Sequence, residues 1–388
     1  MSGADKGQAQ EWRGPTDLRT LVPVLGLTEY WYPAMKQRRV SWKKPEFLRM
    51  LGEDLCLFRG KSGKVVAVAN ACPHRGAMLS EGKCEFRGFL SCFYHGFVYD
   101  ERGECVAALG EGLQSPMPGK VRVRVYPTET HQGIVFVWMG KGKPEPIEEN
   151  IPEEFFDATK MVLYWSNIWP ANWRPAFENS FDSHPRYLHR NSWIGLMNAI
   201  MPAHYPSPGR PTRIGPHRLT TAFDLNDTAA TGKRPYQDYY PGVDGLWPRH
   251  RWRLSWTWFF DLIRKGFKLL PRYQVSETWG MGQHLPGMIR IHYGPHMFTR
   301  WSVPVDEHTT RMVYFHSAQR RTVWGRACEW LTFWLFHNPF LHRNFTGQDI
   351  PAAARAYYDR PENLAPTDAQ VIQWRKMAAT ARGMEARQ

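Results

Sequence analysis

The chain contains 388 residues, with 50 lysines and arginines against 36 aspartates and glutamates, so its formal charge at pH 7 is +14. This length is far greater than a single small module requires, and we expect more than one domain. Such basic charge suits nucleic acid, an anionic surface, an acidic protein partner or an acidic ligand, but no nucleic-acid motif accompanies it. Six cysteines in a chain this long do not form a disulfide scaffold.

Four short runs rich in β-branched and aromatic residues occupy the first third of the chain, at residues 65–68, 88–91, 97–99 and 133–138. Gly, Asp, Asn and Lys separate them, as is typical of short strands joined by turns. They predict a small antiparallel β module.

Two Cys-His pairs lie on turn-like segments between these runs, about twenty residues apart. Cys72 and His74 form the first pair, and Cys92 and His95 form the second. Two thiolates and two imidazoles describe a four-ligand metal site. A structural zinc ion is one candidate, although zinc sites often use a Cys-x2-Cys pair followed by a histidine pair.

The division of ligands between the two pairs favours iron and sulfur over zinc. Each half supplies one cysteine and one histidine, as required when two cysteines bind one iron of a [2Fe-2S] cluster and two histidines bind the other. Replacing two thiolates by imidazoles raises the reduction potential of such a cluster to roughly −150 to +300 mV. This range suits the transfer of electrons to iron and oxygen chemistry.

A domain boundary is predicted near residues 141–148, where Pro, Gly and charged residues replace periodic hydrophobicity. We therefore expect one domain at residues 1–150 and a second at residues 151–388. The second mixes strand-like and helical segments, including a hairpin at residues 300–305 and 311–316 and a helix near residues 368–380. This pattern predicts an α+β domain.

Two aromatic runs, at residues 254–260 and 330–336, are far shorter than the roughly 20 apolar residues that a membrane crossing needs. We expect core or subunit-interface segments; the alternative is a membrane-surface contact helped by Arg264, Lys265 and Lys268. The N-terminus lacks the apolar core of a signal peptide, and unpaired thiols persist in a reducing compartment, so the expected location is cytoplasmic.

A second concentration of chemistry includes His184 and His189, which lie close to carboxylates. Two histidines and one carboxylate form a facial triad, which leaves positions on Fe(II) open for oxygen and substrate. Residues five apart are about 140° apart around a regular helix, so the two imidazoles would not face one metal from it. Pro185 lies between them and would kink or end a helix, which would allow them to converge.

Both sites and their flanking motifs resemble the Rieske non-haem iron oxygenases, the ring-hydroxylating oxygenase superfamily, and especially its carbazole 1,9a-dioxygenase-type homotrimeric terminal oxygenases. The resemblance covers nearly the whole chain. The sequence motifs that carry it are Cys72-Pro73-His74-Arg75-Gly76, Cys92-Phe93-Tyr94-His95-Gly96-Phe97, Asn172-Trp173-Arg174, Glu178-Asn179 and Val371-Ile372-Gln373-Trp374-Arg375-Lys376.

The resemblance implies an N-terminal antiparallel β Rieske domain, with a proline-rich loop at residues 115–119 over the cluster, unless that loop is an ordinary rigid turn. It also implies a helix-grip, START-like catalytic domain of helices on an antiparallel sheet. Asp182 corresponds to the family's aspartate that links the two centres across a subunit boundary. The implied ligands are Cys72, His74, Cys92 and His95 for the [2Fe-2S] cluster and His184, His189 and Asp349 for mononuclear Fe(II).

One spacing departs from this family pattern, and one of the implied ligands has an alternative structural role. His184 follows Asp182 by two residues, whereas the family usually has three, while His189 stands at the expected seven. Either the segment is rearranged around Pro185 or the assignments differ in detail. Asp349 has an alternative role as the cap of a helix that starts near Pro351.

The activity that the resemblance implies is that of a terminal oxygenase. NADH electrons reach the cluster through a partner reductase, with or without a ferredoxin, and pass to the mononuclear iron of a neighbouring subunit in a head-to-tail C3 homotrimer. O2 is then used to hydroxylate an apolar, aromatic or polycyclic substrate. The alternatives are a Rieske-type O- or N-demethylase and a non-catalytic electron-transfer or redox protein.

Overall fold

The computed structural model describes residues 17–181, 188–189, 192, 209–223, 273–274, 279–293, 295–358, 360–365 and 368–384. The residues up to 138 form three small antiparallel sheets, with strand orders β1-β10-β9, β2-β3-β4-β8 and β5-β6-β7. Their strands are β1 (Trp31–Lys36), β2 (Glu46–Met50), β3 (Glu53–Arg59), β4 (Val65–Ala69), β5 (Leu90–Ser91), β6 (Phe97–Tyr99), β7 (Cys105–Ala108), β8 (Val125–Tyr126), β9 (Thr128–His131) and β10 (Ile134–Trp138).

A larger antiparallel sheet follows, in which seven strands among the described residues pair in the order β11-β17-β16-β15-β14-β13-β12. These strands are β11 (Lys160–Trp169), β12 (Gly209–Ile214), β13 (Arg218–Phe223), β14 (Gly282–His284), β15 (Met288–Tyr293), β16 (His296–Pro304) and β17 (Thr310–Gln319). The hairpin of β16 and β17, called the central hairpin below, lies between β11 and β15, and all residues of β16 are buried. The predicted hairpin at residues 300–316 is confirmed.

The helices accompany this sheet. Within the described residues they are α1 (Trp173–Glu178), α2 (Val323–Thr332), α3 (Asp349–Arg355) and α4 (Ala369–Ala379). A π-helical segment, Phe333–Phe345, continues directly from α2 and contains Pro339. Short 3-10 turns occur at Leu18–Leu21, Gln37–Arg39, Leu79–Glu81, Ile147–Glu149, Glu153–Phe155 and Thr346–Gln348.

Register divides the central hairpin into two chemically different faces, because side chains alternate along each strand. Trp301 pairs with Val313, and both enter a large hydrophobic core that also contains Phe136 of β10. On the other face, Phe298 pairs with His316 and Arg300 pairs with Tyr314. This second face packs against the helices, and it carries histidine and arginine side chains among its aromatic residues.

The predicted α+β architecture is confirmed, with antiparallel sheets preceding a helix-covered antiparallel sheet. The predicted C-terminal helix is confirmed as α4.

In the aromatic run at residues 330–336, Phe333 is buried, whereas Trp330 and Leu335 are about half exposed or more. A core location is therefore wrong for most of this run. The run at residues 254–260, together with Arg264, Lys265 and Lys268, lies outside the described residues. No helix in the described part of the chain has the length and apolar character needed to span a bilayer.

Helix α1 is fixed at both ends. The Asn172 side chain caps it by accepting from the Arg174 N–H at 3.1 Å, and its amide nitrogen donates to the carbonyls of Val24 and Glu307. At the other end, Arg375 of α4 donates to both oxygens of the buried Glu178, at 2.8 and 2.6 Å. Burial raises the pKa of the Glu178 carboxyl, and the Arg375 guanidinium opposes that shift.

We expect Arg375→Met to lower the free energy of unfolding by about 3–5 kcal/mol, because it leaves the buried Glu178 carboxylate without its main partner. Urea unfolding followed by fluorescence measures this effect. Arg49→Met is the matched control, since Arg49 and Asp54 form an exposed pair and its loss should change stability by less than about 1 kcal/mol. Equal losses for the two variants would contradict the structural role of the buried pair.

Candidate functional site

The two Cys-His loops have the same backbone construction. In the first, the Cys72 N–H donates to the Ala77 carbonyl at 2.8 Å, and the Gly76 N–H donates to the Cys72 carbonyl at 2.8 Å. In the second, Cys92 donates to Phe97 at 2.8 Å and Gly96 donates to Cys92 at 3.1 Å. Each loop is thus a closed turn of six residues that directs its cysteine inward.

The backbone conformation at the fifth position of each turn explains why that residue is glycine. Gly76 has φ +73° and Gly96 has φ +67°, the left-handed region that side chains with a Cβ atom rarely adopt. The two turns place their histidines side by side, with ring centroids of His74 and His95 4.7 Å apart. The structure therefore brings all four predicted residues of the two loops to one place.

The four side chains differ in exposure to solvent, so the site has a buried side and a side nearer the surface. Cys72 and Cys92 are each 3% exposed, whereas His74 and His95 are half-buried. Beside the histidines, Phe93 and Tyr94 are 60% and 53% exposed. The thiol side of the site lies inside the protein, and the imidazole side lies towards the surface.

The donor atoms of this site suit a [2Fe-2S] cluster. Nδ1 of His74 is buried and has no hydrogen-bond partner among the described residues, which is the situation of a nitrogen placed to bind a metal. Burial raises the pKa of the Cys92 thiol above its usual value, and hydrogen bonds from the backbone N–H groups of Tyr94 and His95 partly oppose that shift. Two sulfur and two nitrogen donors in this arrangement fit the cluster.

Two neighbours complete the surroundings of the thiols. The Tyr99 hydroxyl forms a hydrogen bond of 3.1 Å with Cys72 Sγ. Met117, in the proline-rich loop, packs against the hydrophobic cluster that includes Cys72 and Cys92. Met117 therefore connects the loop at residues 115–119 to the hydrophobic cluster that contains the thiols, while Pro116, Pro118 and Gly119 are exposed. Sequence reasoning did not identify Tyr99, although a tyrosine two residues after the Phe97 that closes the loop was a usable signal.

The second site brings together residues from distant parts of the chain. His189 Nε2 lies 3.0 Å from Asp349 Oδ1, and both residues are 3% exposed. The other carboxylate oxygen, Asp349 Oδ2, accepts from Arg300 Nη1 at 2.6 Å. The second guanidinium nitrogen, Arg300 Nη2, contacts the Ser180 hydroxyl. A buried carboxylate is thus held between an imidazole and a guanidinium.

Local packing fixes the orientation of His189. Phe345, the last residue of the π-helical segment, stacks on the His189 ring with centroids 3.7 Å apart. With its amide oriented so that the nitrogen faces the Leu188 carbonyl, Gln348 donates to that carbonyl and accepts from the Ser192 N–H, each at 3.1 Å. Nδ1 of His189 is buried and has no hydrogen-bond partner within the described parts of the chain. The imidazole and the carboxylate are suitable donors for a divalent cation such as Fe(II).

Asp349 occupies the first turn of α3, and Gln348 holds the N-cap position. The carboxylate of Asp349 contacts His189 and Arg300, so capping is not its main interaction.

Asp182 and His184, the other residues predicted for this site, lie outside the described residues, as does Pro185. Sequence reasoning missed Arg300, Ser180 and Phe345. An arginine at the first position of the predicted strand at residues 300–305 was the one available signal, and the structure places it in the middle of β16.

Comparison with known proteins agrees with this arrangement. Residues 30–123 match the Rieske [2Fe-2S] domain, and residues 138–239 match the family described as homotrimeric ring hydroxylase. The terminal oxygenase component of carbazole 1,9a-dioxygenase from Sphingomonas sp. is 32% identical over 371 residues, covering 92% of each chain. The same component from Metapseudomonas resinovorans is 26% identical over 380 residues, covering 92% of this chain and 91% of that protein.

The chain belongs to the Rieske non-haem iron oxygenases. The fold agrees: the terminal oxygenase of carbazole 1,9a-dioxygenase from Nocardioides aromaticivorans IC177 superposes with a TM-score of 0.73 at 24% identity, covering 95% of this chain and 98% of that chain. This Rieske oxygenase is therefore an enzyme, the terminal oxygenase component of its system, with a [2Fe-2S] cluster and iron as cofactors. The zinc interpretation of the Cys-His loops is set aside.

We expect Tyr99→Phe to lower the reduction potential of the cluster, because donation from the Tyr99 hydroxyl to a thiolate at Cys72 would stabilise the more negative, reduced state of a cluster held there. A difference of about 1 kcal/mol between the two states corresponds to roughly 40 mV for one electron. Redox titration followed by EPR measures the change. Tyr94→Phe, at an exposed position beside His95, is the control. An unchanged potential in Tyr99→Phe would show that the hydroxyl does not act on the cluster.

Proposed function

We propose that this Rieske oxygenase hydroxylates an apolar, aromatic or polycyclic substrate, using a cluster bound by Cys72, His74, Cys92 and His95 and a mononuclear iron bound by His184, His189 and Asp349. The observation that carries this proposal is the buried 3.0 Å contact between His189 and Asp349. A protein that only carried electrons through its cluster would have no use for a second buried pair of metal ligands.

The residues around Asp349 suggest how the protein would orient this carboxylate for metal binding. Arg300 binds Oδ2 and leaves Oδ1 on the side of His189, so the carboxylate would offer one defined oxygen to the metal. Ser180, just beyond α1, fixes the far side of the guanidinium. Such partners orient metal ligands and strengthen metal binding. When bound, the cluster would supply single electrons and the ferrous ion would activate O2.

An apolar substrate is supported by the side chains near Asp349. Trp169, Phe298 and Tyr314 form a buried cluster on the helix-covered face of the sheet, which Ala353 of α3 also joins. Phe345 covers the His189 ring. Sites for small apolar ligands are lined mostly by such aromatic and hydrophobic side chains, with a few polar groups for orientation. Carbazole, named for the relatives, is a substrate of this class.

We further propose a head-to-tail C3 homotrimer, in which Asp182 links the cluster of one subunit to the iron of the next. The description of the matching family as homotrimeric supports this assembly. Residues 1–150 would form the Rieske domain and residues 151–388 the catalytic domain. None of the six cysteines forms a disulfide, in keeping with a reducing, cytoplasmic location.

NADH would supply electrons through a reductase, with a ferredoxin as the direct partner. A similar solved structure is the reduced complex between oxygenase and ferredoxin in carbazole 1,9a-dioxygenase. In this chain, the exposed Phe93 and Tyr94 lie beside the half-buried histidines, where a partner could approach the cluster. The formal charge of +14 would attract an acidic partner.

Asp349→Ala should lower the iron content from about three to about two atoms per chain and abolish product formation, while the visible spectrum of the cluster stays unchanged. Iron analysis, absorption spectra and O2-dependent turnover on an aromatic panel provide the readouts. Glu307→Ala, at an exposed turn residue, is the control. Retained turnover in Asp349→Ala would overturn the proposed ligand. A wild-type content of two irons would favour the electron-transfer alternative.

Arg300→Met should weaken binding of the mononuclear iron about 10- to 100-fold without loss of the cluster, because the Asp349 carboxylate would no longer be oriented. Competition with a ferrous chelator measures this affinity. Arg311→Met is a matched control, since Arg311 is also buried on the central hairpin but donates to the Pro33 carbonyl at 3.1 Å instead. If both variants lost iron equally, general destabilisation would explain the effect.

A further inference from the structure

A second group of potential metal ligands lies on the same face of the large sheet, and the oxygenase chemistry described above does not use it. Three histidines and one glutamate place one ligand atom each within 4.8 Å of one another, and all four residues are buried. They are His296 of β16, His316 of β17, Glu329 of α2 and His337 of the π-helical segment. Strand register and helix packing therefore bring together residues spread over forty-two positions of sequence.

The sheet register explains how the strands supply two of these groups. His296 pairs with Ala318 and His316 pairs with Phe298, so the two histidines are diagonal neighbours on one face of the hairpin. Their ring centroids lie 4.6 Å apart. His337 approaches from the helical side, with its ring centroid 4.1 Å from that of His316 and 4.9 Å from that of His296.

Each oxygen of Glu329 has two partners. Oε1 lies 3.1 Å from His296 Nε2 and 3.0 Å from His316 Nε2. Oε2 lies 2.6 Å from Arg320 Nη2 and 3.3 Å from His296 Nε2. Asp349 is held in a similar way, with one oxygen towards an imidazole and the other bound by an arginine. An arginine on the outer oxygen orients a carboxylate ligand and leaves its inner oxygen for a metal.

The spacing suits a tetrahedral ion. Zinc binds imidazole nitrogen and carboxylate oxygen at about 2.0–2.2 Å, so two ligand atoms of a tetrahedral site lie roughly 3.3–3.5 Å apart. The two nitrogen-to-oxygen distances here, 3.0 and 3.1 Å, are slightly shorter. All four ligand atoms lie within 4.8 Å of one another, so modest movements of the side chains would bring them to that geometry. Four buried polar groups between a sheet and its helices also need strong mutual interactions, which a metal supplies.

We propose that His296, His316, His337 and Glu329 form a zinc site that joins the central hairpin to the helical segment packed on it. The nitrogen and oxygen donors, without sulfur, suit Zn²⁺ as a closed four-ligand site. The site is separate from the Asp349 site, since His296 and Arg300 are four residues apart on one strand, or about 13 Å. It stabilises the segment that ends at Phe345, beside His189.

Zinc analysis of the full-length, iron-loaded enzyme tests this proposal. After incubation with zinc and dialysis against a weak chelator, we expect about one retained zinc per chain, with X-ray absorption showing only nitrogen and oxygen neighbours at about 2.0–2.2 Å. Glu329→Gln and His337→Gln should each lose this zinc. His342→Gln is the matched control, because His342 is a buried histidine of the same π-helical segment outside the ligand group, and it should retain zinc.

Asp349→Ala separates this site from the mononuclear iron. It should retain the zinc while losing iron, so failure of the iron assignment and failure of the zinc assignment give different results. Wild-type enzyme that retains no zinc would overturn the proposal and leave a hydrogen-bonded network of histidines around Glu329. A sulfur neighbour at about 2.3 Å would also overturn it, because the ion would then occupy the Cys-His loops. Either wild-type result would overturn the proposal even if the variants do not fold.

Discussion

The buried carboxylate of Asp349 is the interaction on which the arrangement of the large sheet and its helices depends. An ionised carboxylate away from water is strongly unfavourable unless charged or hydrogen-bonding partners surround it. Its partners here are His189 at 3.0 Å and Arg300 at 2.6 Å, and they are separated from it by 160 and 49 positions of sequence. The segment after α1, strand β16 and helix α3 must therefore hold their relative positions for this anion to be stable.

The supports of α1 follow from the same requirement. Ser180, which contacts Arg300, lies two residues beyond the end of this short helix, so any movement of α1 would move it as well. Asn172 fixes the start of α1 to two separate loops, and the buried pair of Glu178 and Arg375 fixes its end to α4. A helix of six residues has little stability of its own. Polar contacts with distant segments make it a rigid element beside the site.

The sequence predicted the Cys-His loops well because their structure is local. Each loop is closed by hydrogen bonds within six residues, and its glycine marks a left-handed backbone position. The second site was predicted only where a family pattern supplied the residues, since no local feature joins His189 to Asp349. Arg300, His296 and His316 could not be placed, because a shift of one residue in strand register would turn each of them to the opposite face. The exposure of the aromatic run near Trp330 likewise depends on which face of α2 meets the sheet.

The helix-covered face of the central hairpin has an unusual composition for a buried surface. Along β16, His296 and Arg300 alternate with Phe298, and their neighbours on β17 are His316 and Tyr314. An entirely apolar face would pack at least as well against the helices, and buried ionic groups are weak evidence of added stability. These polar side chains instead make directional contacts that fix register, because a slipped hairpin would move His296 and His316 away from Glu329 and Arg300 away from Asp349. The same contacts that give the sheet a single register thus place two sets of nitrogen and oxygen donors at defined positions along it.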